Sequence, residues 1–232
     1  TSTVLGVGYG AVGYHYGVPP ESCMLAAGLC SLAGMLPDLD SDSGRPLRET
    51  ICFCAAVVPM LMIDRFQHLG LTAESMVLTG GLIYIVIRFG VAEIFKRYTV
   101  HRGMWHSIPA AVTTALLGFL VCSCEDEQVR WFKSGAVFLG FMSHLVLDEY
   151  YSFEVKRGRL RVKRSFGTAL KMWSTRSLWA NISTYGKLVI VGLLAVGDPI
   201  MMEKLESHSA EVHHTARDWV KELVEGGEKL LR

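Results

Sequence analysis

Seven apolar runs, divided by polar breaks, leave this chain few ways to fold. They cover residues 2–18, 22–36, 51–63, 76–95, 108–122, 131–147 and 188–202. Each is of helical length. Half of the 232 residues are apolar, and the mean hydropathy is positive. That is too apolar for an ordinary soluble domain. In lipid every backbone N–H and C=O must be satisfied within the segment, which selects helices. The expected fold is all-α, a multi-helix integral membrane bundle. Several runs fall short of the roughly 20 residues of a clean span, so tilted or partly interfacial helices are expected among them.

The breaks set the connections. Pro19-Pro20 ends the first run and makes the first two runs an antiparallel hairpin. Pro59 predicts a kink in the third run. In the tail, Val212, Ala216, Trp219 and Leu223 recur at helical spacing and predict a C-terminal amphipathic helix. Three segments follow: a membrane-embedded domain over 1–150, a basic segment over 151–187, and the last apolar helix with its amphipathic tail over 188–232. No cleavable leader is expected, because no basic region precedes the first run.

Charge orients the bundle. With alternating crossings, the loops 37–50, 96–107 and 149–187 share one side and hold fourteen of the chain's 23 Lys and Arg. By the positive-inside rule that side is cytoplasmic, giving a multi-pass protein of the inner membrane. A net charge of +1 gives no sign of nucleic-acid binding. The six cysteines lie mostly inside apolar runs without zinc-ribbon or redox spacing, and read as small buried hydrophobes. Residues 156–164 form a basic stretch suited to anionic headgroups or to anchoring the topology. Arg88 and Glu93 mark the point where the fourth run leaves the membrane. The tail histidines His208, His213 and His214 read as a solvated face.

Three polar motifs fall on the cytoplasmic side. Gly34-Met35-Leu36-Pro37-Asp38-Leu39-Asp40 follows the second run, and its proline turns two carboxylates out of the helix. His101-Arg102-Gly103-Met104-Trp105-His106-Ser107 precedes the fifth, with Ser107 as the helix N-cap. Gly140-Phe141-Met142-Ser143-His144-Leu145-Val146-Leu147-Asp148 closes the sixth, where His144 and Asp148 are four apart on one face. Taken singly these are a solvated turn, a basic loop and a helix-end pair. Together, Asp38, Asp40, His101, His106, His144 and Asp148 are mixed nitrogen and oxygen ligands. They suit one or two divalent ions, Zn²⁺ first, with Mn²⁺ or Fe²⁺ as alternatives. Such an ion makes a bound water nucleophilic near neutral pH. An unligated carboxylate, Asp40 among them, would take the proton. Arg102 and the N-terminus after Ser107 would hold the developing negative charge.

These three motifs, in this order, resemble those of the LexA-regulated, membrane-bound metal-dependent hydrolases of the YdjM type, over about residues 1–150. That family is distantly similar to zinc-dependent phospholipase C and the zinc nucleases. The resemblance implies a phosphoesterase acting on a phosphoester of lipid or nucleotide type at the cytoplasmic membrane face. The competing class is a non-enzymatic transporter or scaffold whose His/Asp cluster carries ions, which would place ionisable groups near the bilayer midplane. A third reading is a degenerate hydrolase that binds metal without turnover. The family pattern also opens on a histidine at the start of the first helix. His15 sits at that helix's far end, about 25 Å from Asp38 at 1.5 Å per residue. It is not expected as a ligand, and the pattern's histidine is expected upstream of Thr1.

Overall fold

The computed structural model describes residues 1–40, 44–91, 93, 104–124, 126–156, 159–162, 170–174, 177–199 and 202, with the backbone alone for 39–40, 44–47, 91, 153–156 and 159–162. The first apolar run becomes α1, Ser2–His15, and the second α2, Pro20–Ala33. Gly17, at φ +86°, supplies the left-handed turn between them. Pro20 then starts α2, where its missing N–H costs nothing. The hairpin is tight because its seam is made of small residues. A Cβ on Gly6 would lie 2.5 Å from the Ala27 carbonyl oxygen, and one on Gly10 2.8 Å from that of Cys23. Small residues at this spacing let two helix backbones touch where lipid offers no hydrophobic driving force.

A 3₁₀ turn, Pro37–Asp40, follows α2. Helix α3, Gly44–Leu61, carries Pro59 inside its last turn, and α4, Ile63–His68, is a short helix in what reads as a connector. Helix α5, Ala73–Ile85, is capped by Thr72, whose hydroxyl accepts from Ser75 N–H, and runs on as a π-helical turn, Val86–Val91. Helix α6 spans Ile108–Val121 and α7 Glu127–Tyr150. Helix α8, Leu178–Val196, begins ten residues before the expected apolar run. Ser177 caps it, and buried Asn181 ties its first turn to Ser174 through two hydrogen bonds of 2.7 and 2.8 Å. The hydropathy reading missed this start because polar Asn181, Ser183, Thr184 and Lys187 interrupt the run. Among the described residues the bundle is all-helical but for one two-stranded hairpin in the basic segment. There β1, Phe153–Lys156, pairs antiparallel with β2, Arg159–Val162, with Phe153 opposite Val162. The expected amphipathic tail helix lies outside the described residues.

The 24-residue α7 is the axis, packing against α1, α2 and α6. Ala26 and Cys30 of α2 meet Ala136 of α7, and a Cβ on Gly140 would overlap the Cys30 carbonyl. Ala110 and Ala111 of α6 pack on Phe141 and Leu145. Helix α8 lies on the other side of α6. Among the described residues, Ala73–Gly90 and Leu178–Val196 are long and apolar enough to cross a membrane. At 18 and 19 residues they reach about 27–28 Å, close to the roughly 30 Å hydrocarbon core. No residue of α5 is buried, and Val77, Leu78 and Leu82 face outward, as a lipid-facing helix requires.

At the end of the bundle where α7 begins, Arg130 is completely buried. Its guanidinium makes a two-pronged pair with Asp198 just beyond α8, at 2.8 and 3.0 Å, and lies 4.1 Å over the Phe119 ring. Arg65 of α4 reaches the same carboxylate and the Leu120 carbonyl. One buried carboxylate thus clamps α4, α6, α7 and the end of α8. Burial would push the Asp198 carboxyl up, but the hydrogen bonds from Arg130 and Arg65 outweigh it and hold its pKa down at about 2.

Candidate metal site

The other end of the bundle gathers the three motifs. Helix α2 stops at Ala33, and the chain folds back through hydrogen bonds from Met35 and Leu36 N–H to Leu32 and Ala33. Pro37 then directs Asp38 toward the C-terminal half of α7. His106 sits in a bend immediately before the cap of α6, where Ser107 is extended at φ −157° and ψ 158°. His144 and Asp148 stand one turn apart on α7, as the helical period requires. Ligand atoms of Asp38, His106 and His144 all lie within 4.8 Å of one another. Oδ1 of Asp38 is 3.4 Å from Nε2 of His144. Oδ2 of Asp148 is 3.6 Å from that nitrogen and 3.9 Å from Nε2 of His106.

Two backbone carbonyls of the Gly34–Asp38 turn organise this cluster. Gly34 O accepts from Nδ1 of His144 at 2.8 Å. A carbonyl only accepts, so Nδ1 carries the ring proton and Nε2 turns its lone pair to the cluster. Leu36 O accepts from Nε1 of Trp105 at 2.9 Å, and the indole packs edge-on against Phe141 of α7. The turn after α2 thereby fixes both the second and the third motif. The sequence reading contained Gly34 and Trp105 but gave neither a role. The available signals were a glycine ending a helix just before Pro-Asp and a lone indole in a polar break.

The donor set fits a divalent ion. Nε2 of His144 is buried and has no hydrogen-bond partner, because with the ring proton on Nδ1 it offers only a lone pair, and the Asp38 and Asp148 carboxylates it faces do not donate. Separations of 3.4–3.9 Å are close to the roughly 3.3 Å edge of a tetrahedron built on 2 Å metal–ligand bonds. The Nδ1–H to carbonyl contact is the usual support of a metal-ligating imidazole. The imidazoles are mostly buried, 8% and 17% exposed at His106 and His144, whereas Asp38 and Asp148 are 57% and 45% exposed. The cluster is therefore open to solvent on its carboxylate side.

The helix terminus departs from expectation. The N–H groups after Ser107 were expected to face an anion, but they are already engaged. Ile108 N–H donates to the Lys171 carbonyl at 3.2 Å, Pro109 has none, and Ala110 N–H donates to the Ser107 hydroxyl at 3.4 Å. The Ser107 hydroxyl is fully buried and donates to Met104 O at 2.6 Å. Ser107 is a helix cap, then, and not a group that meets substrate. Of the remaining expected residues, His101 and Arg102 lie outside the described residues, and Asp40 is described in backbone only. His15, at the far end of α1, packs against Tyr16. The start of α1 is at the site, where Ser2 Oγ donates to Ser31 O at 3.4 Å and a Cβ on Gly34 would overlap the Ser2 side chain. Arg88 sits over its neighbour Phe89 in the π-helical turn. All six cysteines are free thiols, with Cys23, Cys30 and Cys122 buried.

Residues 1–158 match the family described as YdjM inner membrane protein. Comparison with curated proteins and with solved structures gives no match.

Proposed function

The chain belongs to the YdjM inner membrane protein family, and on that premise we propose that it is a metal-dependent hydrolase of phosphoesters, working at the cytoplasmic face of a multi-pass inner-membrane protein. One observation carries the reading. The buried Nε2 of His144, its tautomer fixed by Gly34, turns a lone pair toward two carboxylates at 3.4 and 3.6 Å and has no hydrogen-bond partner. Asp38, His106 and His144 would hold the ion, with Asp148, His101 and Asp40 as further candidates. Zn²⁺ suits the set best, and Mn²⁺ or Fe²⁺ would also be accepted. Such an ion, when bound, makes water acidic enough to attack near neutral pH and polarises a phosphoryl oxygen.

The chain's own residues do the rest. Gly34 keeps His144 in the ligating tautomer. Asp148, half exposed and beside both imidazoles, would take the proton released by the attacking water where it does not itself ligate the ion. Arg102 offers a planar cationic fork to the phosphoryl oxygens. The apolar walls of α6 and α7 exclude water beneath the cluster. The location supports an enzyme over a transporter, since the ionisable groups gather at helix ends and not midway along them. The cytoplasmic assignment rests on the basic loops 37–50, 96–107 and 149–187. LexA control, which the family resemblance implies, belongs to the same proposal and would appear as transcript induction when LexA is inactivated.

The deciding experiment is metal analysis of the purified full chain, with a panel of phosphodiesters and phosphomonoesters run beside His144→Ala. Bound zinc with turnover that His144→Ala abolishes is the expected result. Stoichiometric metal with no turnover on any ester would move the protein to the ion-binding or degenerate class.

A further inference from the structure

Beside the cluster, α7 carries a second stripe. Leu139, Met142, Ser143, Val146 and Leu147 recur at the spacing of one helix face. The start of α1 lies along it, and the two helices enclose a shallow groove of about 700 Å³ walled by Val4, Leu5, Leu139, Met142, Val146 and Leu147. Its surface is almost wholly apolar. Val4 and Val146, 77% and 50% exposed, leave it open sideways, the direction from which lipid arrives. Leu147 stands at one end, immediately before Asp148, and Ser143, immediately before His144, lies one turn further along. From Leu147 the groove follows α7 toward Leu139, about 12 Å at 1.5 Å per residue, away from the polar end of the bundle.

The order of chemistry along α7 is therefore that of a phospholipid: a site for phosphate at the membrane surface, then an apolar track running inward. We propose that this groove seats an acyl chain of a membrane phospholipid whose phosphate lies at the Asp38–His106–His144 cluster. This rests on the hydrolase reading and narrows its substrate class to lipid phosphoesters. The charges agree, since a bound cation beside half-exposed Asp38 and Asp148 meets an anionic headgroup, while the groove walls present no charge. A soluble nucleotide has no part that would use such a track, and no aromatic ring lines it for a base to stack on.

The test uses the full chain in nanodiscs containing a phospholipid with a photoactivatable diazirine midway along one acyl chain. The α5 face of Val77, Leu78 and Leu82, equally open to lipid, is the internal control. Adducts mapped to Val4, Leu5, Met142 and Val146 should exceed those on that face several-fold. Val146→Trp, and separately Val4→Trp, should each bring them down to the control level with helical content unchanged. Labelling no greater than on α5, or insensitive to both substitutions, would overturn the proposal. In a turnover arm with zinc, Val146→Trp should raise KM several-fold for a long-chain phosphodiester and leave a short water-soluble one unchanged. Enriched, tryptophan-sensitive labelling without hydrolysis of either ester would uphold the groove as a lipid site and remove the hydrolase reading.

Discussion

Gly34 and His144, 110 residues apart in sequence, are joined by one hydrogen bond of 2.8 Å from the imidazole Nδ1 to the backbone carbonyl. That bond decides which nitrogen faces the cluster. It also explains why residue 34 is glycine, since a Cβ there would overlap Ser2 at the start of α1. Gly34→Ala should push α1 and the turn apart and shift the carbonyl. Loss of such support to a metal-ligating imidazole costs about 10–100-fold in affinity. Zinc titration calorimetry of Gly34→Ala should show that loss, and His144→Ala should show no high-affinity binding. An unchanged affinity in Gly34→Ala would mean that the carbonyl does not position His144.

Trp105 should matter in a separable way. Its Nε1–H satisfies Leu36 O, and its ring packs on Phe141. Trp105→Phe keeps most of the packing and leaves the carbonyl without that donor, at a cost of about 1–3 kcal/mol. The expected outcome is a lower unfolding midpoint together with several-fold weaker metal binding, because the second motif is no longer held to the first. Weakened stability with unaltered metal affinity would show that the indole supports the bundle alone.

How far the sequence reveals this arrangement depends on the range of the interactions. The His144/Asp148 pair, the Ser107 cap and the α1–α2 hairpin follow from helical period, cap chemistry and Pro19-Pro20, all readable within a few residues. The engaged N-terminus of α6 was not readable, because its partner is a backbone carbonyl at Lys171, which no side-chain pattern announces. The hairpin of β1 and β2 was hidden by four-residue strands inside a basic stretch. The role of Arg130 was hidden because Asp198, its partner 68 residues on, lies in an apolar run. Convergence of Asp38, His106 and His144 could be expected from their shared side, but the distances needed the packing of α2 and α6 on α7.

The Arg130–Asp198–Arg65 clamp predicts a specific acid response. With the folded pKa of Asp198 depressed to about 2 from an ordinary 3.8, the carboxylate's contribution is fully present above the ordinary value. It is lost as pH falls from there through about 2, since the unfolded chain takes up the proton first. Thermal unfolding in detergent should therefore show wild-type stability falling through that window. Asp198→Asn should be less stable at neutral pH by about 3–5 kcal/mol, the cost of leaving a buried arginine unpaired. The gap between the two proteins should narrow as the pH is lowered. A gap independent of pH would mean that the clamp works through shape and not charge.

The two carboxylates at the cluster should divide their labour. Asp38 belongs to the group whose ligand atoms lie within 4.8 Å of one another, and no other carboxylate does among the described residues. Asp148 instead stands beside both imidazoles at 3.6 and 3.9 Å and is half exposed. On the proposed mechanism Asp38→Asn removes an anionic ligand, so metal content after dialysis should fall sharply and activity with it. Asp148→Asn keeps the size and polarity of the side chain but cannot accept the proton. Metal content should stay near stoichiometric while kcat drops by about 10²–10⁴-fold, the range for a lost general base. The acidic limb of the pH–rate profile should disappear in the same variant. If Asp148→Asn instead emptied the site as completely as Asp38→Asn, Asp148 would be a metal ligand and the proton would have to leave by another group.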